Sequence, residues 1–184
     1  MDSNNITRYT NGLEPDLPLL AVDLGYSARS KSCGVAWAGG AVVQSFEFGE
    51  CIEAVAQQLS REGRHTLILE AVLSTYHSPQ GNPTIRGEFE KGRGWYHGPG
   101  VSTFAAALRF VGELHRVLPK DLRPIPLVEG FLSYKPVRTA HSEDARRLLV
   151  EFDQAERFEA LSASEPICDL FDGVPQIRRY NKPA

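Results

Sequence analysis

The chain has 184 residues, 42% of them hydrophobic and 23% charged, with a formal net charge of −3 at pH 7. That length suits one domain able to bury a core without disulfides, and the balance reads as soluble and globular. The weak negative charge excludes a protein that coats nucleic acid through a global basic field and leaves only local basic patches for such contact.

Cys33, Cys51 and Cys168 are widely spaced and form no CxxC pair, so neither a zinc site nor a disulfide framework is indicated. They read as small buried hydrophobes. No apolar run approaches the ~18 residues of a membrane span. The opening stretch MDSNNITRYTNGLEPDLP lacks the apolar segment of a signal peptide. The expectation is a cytoplasmic protein with no membrane partner.

In chain order, residues 1–17 read as an N-terminal arm and residues 18–184 as a single domain. Leu19–Asp23 is a short apolar run suited to a buried strand. Cys33–Ala38 and Ala41–Phe48 follow as strands joined by the turn signal Gly39-Gly40. Three strands with short turns predict an antiparallel meander. Glu50–Arg61 then places Ile52, Val55, Ala56 and Leu59 at helical spacing.

The next segment, HTLILEAVLS, reads as a central buried strand. Ser74–Gly100 has neither period and is rich in Gly, Pro, Arg and aromatics, the profile of a functional or disordered loop. Val101–Leu118 predicts a helix with Phe104, Ala105, Leu108, Val111 and Leu118 on one face and Ser102 as cap. RPIPLVEGFLSY reads as a strand weakened at its start by Pro124 and Pro126. HSEDARRLLVEF reads as a helix opening at Ser142, with Ala145, Leu148, Leu149 and Phe152 facing inward. Residues 162–184 are ambiguous and end in the basic tail IRRYNKPA. The predicted class is α/β, a mixed sheet flanked by helices.

Three acids occupy related places. Asp23 ends the first strand, Glu70 interrupts an apolar strand, and Asp144 falls in the first turn of the last helix, three residues after His141. Convergence of these side chains would set like charges together and raise their pKa values unless a cation relieved them. Oxygen ligands favour Mg²⁺ or Mn²⁺ over zinc. A pair of such ions suits phosphodiester cleavage.

Asp23-Leu24-Gly25 followed by the returning strand CGVAW resembles the start of the ribonuclease H-like superfamily. Glu70 on a later strand and HSEDA at the final helix resemble its RuvC-type resolvase branch, and the chain is also similar to related predicted nucleases in which a strand glutamate, here Glu129, precedes the final helix. The resemblance spans roughly residues 19–152. It implies a ribonuclease H-like sheet, a three-stranded antiparallel meander continued by parallel strands. It also implies a two-metal nuclease with water as nucleophile, with Asp23, Glu70 and Asp144 as ligands, His141 beside them and Glu129 as an additional acid. A homodimer is compatible with that branch, since paired incisions need two sites, although no dimerisation heptad is legible. Glu143 beside Asp144 would point elsewhere on the helix, which leaves no obvious fourth carboxylate, and the insert at 74–100 has no resolvase counterpart.

The basic residues offer a nucleic-acid surface. Arg86, Lys91, Arg93 and Trp95 lie in the Gly-rich loop, while Lys135, Arg138, Arg146 and Arg147 surround the Asp144 helix. Plainer readings stand beside each of these. Asp23 with Gly25 also suits a turn, or the phosphate loop of actin-like ATPases, which need two such domains. Glu70 also suits an ion pair with an arginine. Asp144 also suits the helix dipole, and His141 shares its face only if the helix begins before Ser142. The basic residues also suit a solvated loop and a salt-bridged helix. Two alternative functions follow: a non-catalytic module of this fold for nucleic-acid binding or assembly, and a phosphohydrolase acting on nucleotides.

Overall fold

A computed structural model describes residues 17–27, 30–40, 44–71, 76–77, 83–84, 99–122, 125–130, 138–153, 158–160 and 177–180. Five strands form a mixed sheet in the order β3-β2-β1-β4-β7: β1 (Leu19–Leu24), β2 (Cys33–Trp37), β3 (Gln44–Phe46), β4 (Thr66–Glu70) and β7 (Leu127–Glu129). β1, β2 and β3 are antiparallel neighbours, and β4 and β7 continue the sheet in parallel to β1. Beyond β7, β9 (Ile177–Tyr180) pairs in parallel with β7, and β8 (Phe158–Ala160) pairs antiparallel with β9. A separate two-stranded ladder joins β5 (Tyr76–His77) to β6 (Pro83–Thr84).

Strand alternation sorts the core into two layers. Leu20, Val22 and Leu24 of β1 and Leu67 and Leu69 of β4 pack beneath α1 (Phe48–Glu62) and α2 (Pro99–Val117). Ala21, Ile68 and Val128 take the opposite face and meet Leu148 and Phe152 of α3 (His141–Asp153). β1 and β4 are therefore apolar on both faces, which is why their sequences read as continuous apolar runs rather than as alternation.

The expected meander and the order strands, helix, strand, helix, strand, helix are observed. The differences have local causes. The third strand does not run to Phe48, because the Glu47 N–H donates to the Glu50 carboxylate at 3.1 Å and the chain turns helical there. Strand β4 ends at Glu70 rather than Ser74. Helix α1 stops at Gly63, whose φ of 86° is open to glycine and whose N–H caps the Leu59 carbonyl at 2.8 Å.

Helix α2 begins two residues before the expected start, so Ser102 lies inside it, exposed, and is not its cap. Its buried face is also rotated from expectation. Ala106, Ala107, Phe110, Val111, Leu114 and Leu118 are buried, whereas Ala105 is exposed. A helix with apolar residues on most sides does not announce which stripe is covered, and the meeting with α1 decides it. Residues 1–16, most of the expected N-terminal arm, lie outside the described part.

Candidate functional site

Asp23 and Glu70 are partners in register on adjacent parallel strands. Side chains at paired positions project to the same face, about 4.8 Å apart along the hydrogen-bonding direction. By alternation that face is the one of Ala21 and Ile68, which α3 covers. Asp23 is 7% exposed and Glu70 is half-buried. The sheet thus sets two carboxylates side by side at the C-terminal ends of β1 and β4, the rim where α/β sheets place ligands.

Helix α3 brings two more groups to this rim. The Ala140 carbonyl accepts the Asp144 N–H at 3.0 Å, so the helix opens at His141 and not at Ser142. His141, Asp144 and Leu148 then fall on one helical stripe. The His141 Nδ1–H donates to Asp23 Oδ2 at 2.7 Å. Thr139 Oγ1 donates to Asp144 Oδ1 at 2.5 Å, and Asp144 is buried to 3% exposure.

The close seat of α3 depends on glycine. Gly34 is the β2 partner of Asp23, and a Cβ there would overlap the backbone carbonyl of His141 and reach Ser142 N at 2.6 Å. Gly130, whose N–H donates to the Leu69 carbonyl at 2.9 Å, leaves room for Leu148 in the same way.

The pKa of His141 is raised, first by its hydrogen bond to Asp23 and further by the charges of Asp23 and Asp144, against an opposing effect of burial. A protonated imidazole next to Asp23 offsets part of the charge that Asp23 and Glu70 concentrate on one face. On the far side of the same strands, Cys33 and Cys51 are buried and free. Hydrogen bonding from Cys51 lowers the Cys33 thiol, while the same bond and burial push Cys51 up. Cys33 also donates to the Gly25 carbonyl at 3.2 Å, pinning the chain just after β1.

The donor chemistry at the rim suits a hard divalent cation: Asp23, Glu70 and Asp144 offer oxygen, with one imidazole nearby. The arrangement is not a closed ligand set. Among the described residues no group of three or more His, Cys, Asp or Glu side chains is placed to hold a metal ion. Asp23 is engaged by His141, and Asp144 by Thr139.

The remaining expected site residues divide. Glu129 closes β7 opposite Leu69, one position short of Glu70, and its side chain is outside the described part. Arg146 is bound through two nitrogens to Glu143, at 2.9 and 2.5 Å, and this pairing holds Glu143 below its ordinary pKa. Arg147 reaches Glu151 at 3.9 Å, and Arg138 is exposed ahead of α3. Arg86, Lys91, Arg93, Trp95 and Lys135 lie outside the described residues.

Sequence reasoning passed over Gly34 and Thr139. A glycine inside the strand CGVAW is a signal for close backbone approach, and Thr139 stands just ahead of the His141 helix. A groove of about 580 Å³ between β3 and α1 is lined by Lys31, Gln44, Glu50 and Glu53, and none of the rim acids lines it. No model of a known protein family, no curated protein and no solved structure matches the chain. No helix among the described residues is long and apolar enough to cross a membrane.

Proposed function

We propose that the protein is a cytoplasmic nuclease of ribonuclease H-like fold that hydrolyses phosphodiester bonds of nucleic acid with Mg²⁺ or Mn²⁺. The observation that carries this reading is the in-register pair Asp23 and Glu70 beneath the His141–Asp144 end of α3. The order β3-β2-β1-β4-β7, antiparallel then parallel, supports it as well.

In this reading Asp23 and Glu70 hold the cation from the sheet and Asp144 joins them from the helix, once its bond to Thr139 is exchanged. Bound there, the cation would neutralise the acids and polarise the phosphate ester. His141 holds its proton at Nδ1 toward Asp23 and fixes the orientation of that carboxylate. Helix α3 shields the acids from bulk water, which strengthens their hold on a cation. Arg138 lies exposed at the helix approach, where it can meet a phosphate backbone. Water serves as the nucleophile, so no side chain needs to form a covalent intermediate.

The test is cleavage of single-stranded, duplex, flap and four-way-junction substrates, as DNA and RNA, in Mg²⁺, Mn²⁺ or chelator. Ion-dependent cleavage is expected, and Asp23→Asn should abolish it without loss of the cooperative thermal transition. Wild-type rates in Asp23→Asn would remove the metal assignment.

One observation favours a second reading. Asp23 and Asp144 are each already bonded within the chain, as in a fold kept for binding or assembly. Tight nucleic-acid binding in chelator, with no Mg²⁺-dependent thermal shift, would decide for that module.

A further inference from the structure

Tyr26 is 65% exposed. Single exposed aromatics are ordinary on protein surfaces, but this one is held in place. Its ring meets Phe48 edge-to-face, with centroids 5.1 Å apart and planes at 79°. Phe48 in turn meets Phe110 at 6.4 Å and 77°, and Phe110 is fully buried. The ladder grips Tyr26 from one side and leaves much of its ring open to solvent. Such contacts fix ring orientation.

The backbone on either side of Tyr26 is equally constrained. A Cβ on Gly25 would overlap the Ser32 carbonyl, so glycine is what lets the two ends of this loop close together. The Gly25 carbonyl accepts from Cys33 Sγ, and the Ser27 N–H donates to Ser32 Oγ at 3.2 Å. Tyr26 stands three residues past Asp23, so the chain holds the two Cα atoms within about 11 Å, with the ring against the α1 side of the sheet and the carboxylates on the α3 side of the same strand ends. Ser30 and Lys31 are exposed farther along the same loop and offer a hydroxyl and a cation.

We infer that Tyr26 is a stacking platform for an unpaired base of the nucleic-acid strand that lies across the Asp23–Glu70 rim. The inference rests on the nuclease reading and names its substrate class. A base inside a duplex is already covered on both faces by its neighbours. An open aromatic face therefore rewards a strand with a free base, in a single strand, a flap or an opened duplex. Stacking is tolerant of sequence because every base has a π-face. Lys31, on the same loop, would neutralise a phosphate of that strand.

The experiment is fluorescence anisotropy of the full chain in Mg²⁺. The probes are a labelled single strand of about 12 nucleotides and the blunt duplex of the same sequence, as DNA and as RNA, with cleavage-resistant backbones. The wild type should bind the single strand more tightly than the duplex. Tyr26→Ala should weaken single-strand binding by about tenfold, and Tyr26→Phe should stay within about twofold of the wild type because it keeps the ring and the Phe48 contact. The salt dependence of Tyr26→Ala should match that of the wild type, since no phosphate contact is lost.

An abasic site walked along the strand should cost the wild type the same factor at one position and cost Tyr26→Ala nothing there. Equal binding by Tyr26→Ala with an unchanged melting temperature, or equal abasic penalties in both proteins, would overturn the stacking role. So would absence of single-strand binding by the wild type. Asp23-dependent cleavage is read separately, so its persistence would leave the nuclease reading standing while the platform falls.

Discussion

The hydrogen bond from His141 to Asp23 joins residues 118 positions apart and gives the rim its most direct electrostatic signature. Because the folded-state pKa of His141 is raised, the native state binds the proton more tightly than the unfolded chain does. The stabilisation is complete below the unfolded value of about 6.5 and fades as pH rises through the folded value. In chelator, the melting temperature of the wild type should exceed that of His141→Gln most at about pH 5.5 and least at about pH 9. A gap that does not change with pH would show that the imidazole carries no charge in that contact. At this scale Asp23 and Glu70 were legible because each places a carboxylate in an otherwise apolar run, which is costly without a purpose. The His141 contact was not, because it depends on a helix that starts at His141, one residue before the opening expected at Ser142.

Helix α3 supplies half of the rim, and its height above the sheet is set by what lies beneath it. At Gly34 an added Cβ would meet the helix backbone itself, whereas at Gly130 it would meet the flexible tip of Leu148 at 2.7 Å. Backbone cannot step aside, but a leucine tip can. Gly34→Ala should therefore cost about 1–3 kcal/mol in urea unfolding and erase the pH-dependent part of stability assigned to His141. Gly130→Ala should cost less and leave that dependence in place. Equal effects from the two would mean that α3 is not seated through Gly34. The existence of α3, and of α1 and α2, was readable from apolar spacing. The covered stripe of α2 was not, since Ala105 and Ala106 are chemically identical and only the packing of α1 against α2 separates them.

At the scale of the whole molecule, the sheet does not end at β7. Parallel pairing adds β9, and β8 closes outside it. A chain ending at Asp153 would leave the β7 edge with unpaired backbone groups, a template for association. Light scattering of that truncation should show larger species than the full chain at equal concentration. A truncation of unchanged size and melting temperature would show that β9 contributes nothing to the edge. These two strands escaped the sequence reading because Phe-Glu-Ala and Ile-Arg-Arg-Tyr are too short and too polar to carry a strand period. The hairpin of β5 and β6 escaped for the same reason, at two residues a strand.

The sequence by itself determined the class and the order of the main elements, because apolar periodicity is a local property written into each segment. It also marked Asp23 and Glu70 as carboxylates in costly places. Only the tertiary structure decided that these two become register partners on one face, since strand order is a property of the whole chain. The same holds for the meeting of His141 with Asp23, which required a parallel pairing, a helix start and a glycine opposite it to agree in space.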